Sequence, residues 1–174
     1  MFYCIITYVE VLVKSPALSG PSLSDLHLCA ILCQPFSRER EEIAGVKFQL
    51  EVNTRSRAEL VDITEKVQEC IRQSGIQEGL CDIVVPHTTA GLTVNENWDL
   101  SVKADLLATL ERLVPWQAGY PHMAGNAAAH IKTSLLGSSH TLLVQGGQLM
   151  LGTWQGIFLA EFDGPRRRQV VVRI

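Results

Sequence analysis

The chain has 174 residues, 47% of them apolar and 19% charged, and a formal net charge of -3. That length suits one domain with a sizeable core, and the slight acidity excludes general nucleic-acid affinity. Five cysteines, an odd number in a chain of this size, argue against a disulfide framework and for a reducing, cytoplasmic setting.

Residues 1–45 differ from the rest. The apolar run MFYCIITYVEVLV is broken by Glu10 and is too short to cross a bilayer, so no membrane role is expected. It lacks the basic start of a secretory signal. His27, Cys29 and Cys33 imitate a metal site weakly, without a second ligand pair. This segment reads as an atypical extension outside the core, and the domain proper spans 46–174.

Val46, Phe48, Leu50 and Val52 alternate with polar residues, the pattern of a half-buried strand. After a polar turn at 53–57, Ile63, Val67, Cys70 and Ile71 share one face of a helix. Asp62 and Glu65 offer it a capping box, with Thr64 as a rival cap, and Gly75 ends it. Leu80 to Val85 is nearly all apolar, the mark of a central strand, and it delivers His87, Thr88 and Thr89 onto a loop. Leu92 to Val94 resumes the sheet. Val102 to Val114 is a helix stopped by Pro115. Asn126 is placed to cap a short helix ending before Gly137, whose free amides would favour an anion. Gly146-Gly147 predicts a two-residue hairpin, because both central positions of a type I′ turn need positive φ. Valine-rich Gln169 to Ile174 closes the sheet.

The stretch LMLGTWQGIFLAEFDGPRRR, from Leu149 to Arg168, packs Glu161, Asp163 and three arginines into eight residues. It reads either as a hairpin with a solvated charged turn or as part of a site. Among the histidines, His140 precedes an ordinary strand, whereas His87, His122 and His130 sit at element junctions. Their spacing leaves open one three-histidine metal site or three separate hydrogen-bonding histidines.

HTTAGLTVNENW at 87–98, the segment from His122 to Gly137 and LGTWQGIFLAEFDGPRRR together resemble the YjbQ (UPF0047) family over 46–174. The resemblance implies an α+β domain of mixed, largely antiparallel sheets with a few helices, assembled as a homotrimer. It also implies a pocket holding a divalent ion, zinc or magnesium, on His87, His122 and His130, with Glu96 and the GTWQ segment nearby. On this reading Glu96, Glu161 and His87 are catalytic, while Thr88, Thr89, Asn97, Asn126, Trp154, Gln155 and Arg166 bind a small phosphorylated metabolite. Relative to the family pattern, the segment between His122 and Asn126 is short, which removes carboxylates from that loop. The implied activity is thiamine-phosphate synthesis, joining a hydroxymethylpyrimidine diphosphate to a thiazole phosphate with loss of pyrophosphate. The alternatives are a non-catalytic metal- or metabolite-binding trimer and a metal-dependent phosphoester hydrolase.

Overall fold

The computed structural model describes residues 45–174. The expectations for the extension, including its metal-like His27, Cys29 and Cys33, lie outside the described residues. Eleven elements follow in chain order: β1 (Lys47–Asn53), β2 (Glu59–Asp62), α1 (Thr64–Ser74), β3 (Glu78–Val84), β4 (Ala90–Glu96), α2 (Leu100–Leu113), α3 (Ala127–Leu136), β5 (Ser139–Gln145), β6 (Gln148–Leu149), β7 (Gln155–Glu161) and β8 (Arg167–Arg173). They form a five-stranded sheet ordered β1-β8-β3-β5-β6 and a three-stranded sheet ordered β2-β7-β4. Every strand pair among the described residues is antiparallel, so the α+β fold of largely antiparallel sheets is present and the mixed pairing also expected does not occur among them.

Strand β7 explains the layering. Side chains alternate across a strand, and all of Ile157 to Phe162 are buried, so β7 is covered on both faces. Ile157 and Leu159 join Val52, Ile83, Leu92, Val170 and Val172 in the core between the sheets, which α1 enters through Val67, Cys70 and Ile71. Ala160 and Phe162 face the other way and pack with Leu110 of α2 and Ala129 of α3. Each large side chain so buried contributes about 1.5–3 kcal/mol. Glu161 continues the Ile157–Leu159 face and is therefore carried into the interior, where it is fully buried.

The Gly146-Gly147 hairpin forms as expected, with φ of 58° and 72° between paired Gln145 and Gln148. Gly75 takes the left-handed cap of α1. The Asp62–Glu65 capping box does not form. Asp62 instead accepts from the backbone N–H and hydroxyl of Thr64, at 2.9 and 2.6 Å. The polar turn also continues into a strand that the periodicity did not show, the four-residue β2, which borders β7. Among the described residues, no helix is long and apolar enough to cross a membrane.

Candidate functional site

Strand β3 stops where Pro86 would meet Gln169. The β3–β8 ladder pairs Val84 with Val171, and continuing that register sets Pro86 opposite Gln169. Proline breaks the ladder because it has no N–H to contribute. His87 fills the gap with its side chain: Nε2 accepts the Gln169 N–H at 2.9 Å. A lone pair on Nε2 means that the neutral ring carries its proton on Nδ1. Burial, then the nearby positive charge of Arg168, hold the His87 pKa below the ordinary histidine value, with Glu161 opposing them.

The second wall is helix α3. Gly137 and Ser138, just past its end, are stapled to both sheets, since the Leu92 N–H donates to the Gly137 carbonyl at 2.9 Å and the Val85 N–H to the Ser138 carbonyl at 2.8 Å. Gly91 permits this approach, because a Cβ there would stand 2.7 Å from the Gly137 oxygen. His130, Thr133, Ser134 and Gly137 then fall on one helical face by their spacing of three, four and seven. With His87, Thr88 and Ser138 they line a cleft of about 530 Å³. The Thr133 hydroxyl is buried there without a hydrogen-bond partner. Sequence reasoning missed Thr133, Ser134 and Ser138. The spacing from His130 was the available signal for the first two.

Behind the cleft lies a buried ion pair. Arg168 donates from Nε to Glu161 Oε2 at 2.6 Å and from Nη2 to Glu161 Oε1 at 2.5 Å, and Nη2 also reaches Thr89 Oγ1 at 2.8 Å. Glu161 accepts in addition the N–H groups of Phe162 and Asp163 and the Thr54 hydroxyl. Burial alone would raise the Glu161 pKa, but the hydrogen bonds from Arg168 and Asp163 and the guanidinium charge hold it below the usual range. The charged segment thus divides: Arg166 and Arg167 stand open to water as in a solvated turn, while Glu161 and Arg168 are buried partners, and Glu161 is not a free general base.

The expected site residues separate into two groups. Ala90 pairs with Glu161 at one end of β4, and Glu96 pairs with Gln155 at the other. Six residue steps of strand, about 20 Å, separate them. Glu96 and the GTWQ segment therefore stand away from His87 within the protomer. There Asn97 is engaged by Asp62 and by Lys103 Nζ, the latter at 2.7 Å. Gln155 closes its own turn onto the Gly152 N–H at 2.8 Å. Trp154 meets Trp98 edge-on at 5.6 Å between ring centroids.

Near the cleft, Asn126 does not cap α3 with its side chain but donates to Asp163 at 3.0 Å, and Arg166 binds the same carboxylate at 2.7 Å. His122 lies edge-on to His130 at 5.3 Å between centroids. The expected three-histidine metal set is not assembled: among the described residues no three histidine, cysteine or acidic side chains stand together as ion ligands. His87 is also chemically unsuited as placed, because a neutral ring ligating through Nδ1 would carry its proton on Nε2, where Gln169 already donates.

The chain matches the family model described as UPF0047 protein YjbQ-like over residues 48–174. It is 50% identical to a UPF0047 protein of Methanocaldococcus jannaschii over 127 residues, 73% of this chain and 92% of that one. It is 45% identical to the UPF0047 protein YugU of Bacillus subtilis, over 72% of this chain and 96% of the relative. A crystal structure of a YjbQ/UPF0047 protein from Clostridium acetobutylicum superposes with a TM-score of 0.72 at 44% identity, covering 73% of this chain and 99% of that one. A Sulfolobus solfataricus structure gives the same TM-score at 36% identity, with 75% and 96% covered, and is described as a YbjQ-like protein of unknown function. These findings overturn the expected thiamine-phosphate synthesis, since the relatives carry only the UPF0047 designation or a statement of unknown function. Within the protomer each of the three arginines already has a carboxylate partner: Arg166 with Asp163, Arg167 with Glu51 and Arg168 with Glu161.

Proposed function

The chain belongs to the YjbQ-like UPF0047 family, and we propose that it catalyses proton transfer on a small polar metabolite held between His87 and His130. The observation that carries this reading is the fixed tautomer of His87, whose Nε2 is engaged by Gln169 and whose Nδ1–H is left to polarise an oxygen of the ligand. His130, on the opposite wall, has a ring able to accept the proton that leaves. Thr88, which also lines the cleft, supplies a further hydroxyl. The test is a screen of small carboxylates, carbonyl compounds and phosphorylated metabolites, read by the ring resonances of His87 and His130. A true ligand shifts both, and His87→Gln lowers its turnover by about 100-fold or more, in the range expected for general acid–base groups. Binders whose shifts all map elsewhere overturn the assignment.

We infer further that the working form is a homotrimer. The resemblance implies that Glu96 and the GTWQ segment lie near the histidines, whereas one protomer holds Glu96 and the residue beside the His87 loop at opposite ends of β4. A neighbour bringing its Trp154 end to His87 reconciles the two. The outer face of the larger sheet also exposes Leu80 and its cross-strand partner Leu143, about half of each, as an apolar patch suited to contact. Sedimentation equilibrium at micromolar concentration gives a trimer mass on this reading, and a monomer mass would reject it.

A further inference from the structure

Arg168 reaches the His87 loop in two ways. Its side chain donates to Thr89, two residues beyond His87, and its backbone leads directly into Gln169, whose N–H holds the His87 ring. The distance between the loop and β8 decides whether that N–H meets Nε2, and the Arg168 guanidinium spans it. Glu161 fixes the guanidinium in turn, gripping it at two nitrogens while its own oxygens are saturated by Phe162, Asp163 and Thr54. Neither residue lines the cleft, and both are nearly or fully closed to solvent. We propose that Glu161 and Arg168 are positioning residues, a buried clamp that holds His87 as the Nδ1–H tautomer through Thr89 and Gln169.

A purely stabilising role explains this pair poorly, because buried ion pairs are often replaceable by apolar side chains at no loss. The clamp also has an electrostatic side. Arg168 of β8 disfavours the imidazolium, Glu161 of β7 favours it, and His130 of α3 shares the cleft. The proposal rests on the reading of His87 as the group that presents Nδ1–H to the ligand.

The experiment is nitrogen-15 NMR of the ring nitrogens in the full chain, with a pH titration of His87 and a thermal melt of each variant. Wild type should show a single Nδ1–H tautomer. If wild type shows Nε2–H, the reading of His87 itself falls. Glu161→Gln combined with Arg168→Met keeps shape while removing both charges. It should give a mixed tautomer and a higher titration midpoint, since Arg168, nearer in effect to His87 than the opposing Glu161, no longer disfavours the imidazolium. Arg168→Lys keeps the charge but loses the fork, so the tautomer mixes while the midpoint stays low. A folded double variant with one Nδ1–H tautomer and an unmoved midpoint overturns the clamp. Should the double variant fail to fold, Thr89→Val cuts the link to the loop and leaves the ion pair in place. A mixed tautomer there supports the clamp, and an unchanged one overturns it.

Discussion

His87 Nε2 accepts the backbone N–H of Gln169 at 2.9 Å, so a side chain occupies a rung that the β3 backbone would have filled without Pro86. The hydrogen bond favours neutral histidine with a free Nε2 lone pair. Burial, then Arg168, also lower the pKa, and a group protonated less readily when folded binds more protons when unfolded. Its stabilisation is therefore complete above the unfolded histidine value of about 6.5 and is lost as pH falls from there through the folded value. His87→Gln keeps an acceptor for Gln169 but cannot titrate. The difference in urea midpoint between wild type and His87→Gln should be flat above about pH 6.5 and shrink below it. A constant difference from pH 8 to 5 would reject the assignment.

Glu161→Ala leaves the Arg168 guanidinium buried without a counter-charge, because Arg168 is only 5% exposed. Breaking one side of such a pair costs about 3–5 kcal/mol. Arg166→Ala removes a partner of Asp163 from a side chain half open to water, and should cost less than about 1 kcal/mol. Urea denaturation of both variants checks the contrast. Glu161 also marks an acid limit. Its depressed pKa means that its contribution is whole above the ordinary glutamate value of about 4.3 and disappears as pH falls through the folded value.

The fate of the charged segment shows where the sequence was legible and where it was not. Ile157, Leu159 and Glu161 share one strand face by the period of two, so the burial of Glu161 could have been read from its neighbours. Its partner could not, because Arg168 meets Glu161 only after β7 and β8 settle in different sheets. Local signals carried the Gly146-Gly147 turn, the Gly75 cap and the apolar face of α1. Strand β2 escaped because four residues are too few for a periodic signal. The pairing of His87 with the α3 face depends on the staples at Leu92 and Val85, which join residues 45 and 53 positions apart. No local pattern reports contacts of that kind.

Cys70 and Cys81 are free thiols packed in the core. Burial, then Cys70 and Asp82, push the Cys81 thiol up to about 12. Thiolate is the reactive form, so Cys81 should resist alkylation at pH 8 in the native chain and react rapidly in urea. Mass mapping of iodoacetamide adducts at Cys70 and Cys81 checks this. Modification of Cys81 at the unfolded rate under native conditions would show that the inter-sheet core opens.

Gly91 governs the contact between β4 and α3. A Cβ at this position would stand 2.7 Å from the Gly137 carbonyl oxygen and 3.5 Å from Leu136 Cβ. The oxygen cannot swing aside, because it belongs to the backbone and accepts the Leu92 N–H. Gly91→Ala must therefore push the end of α3 off the sheet, an overpacking cost of about 1–3 kcal/mol. The displaced segment includes Gly137 and Ser138, so the wall opposite His87 moves with it. Gly75→Ala is the matched control. It strains a left-handed cap at φ of 73°, costing about 1 kcal/mol, but meets nothing within 4 Å and lies outside the cleft. Both variants should lower the urea midpoint, and only Gly91→Ala should also shift the ring resonances of His87 and His130. Wild-type resonances in a destabilised Gly91→Ala chain would show that α3 yields without disturbing the cleft, and would remove Gly91 from the account of how the site is built.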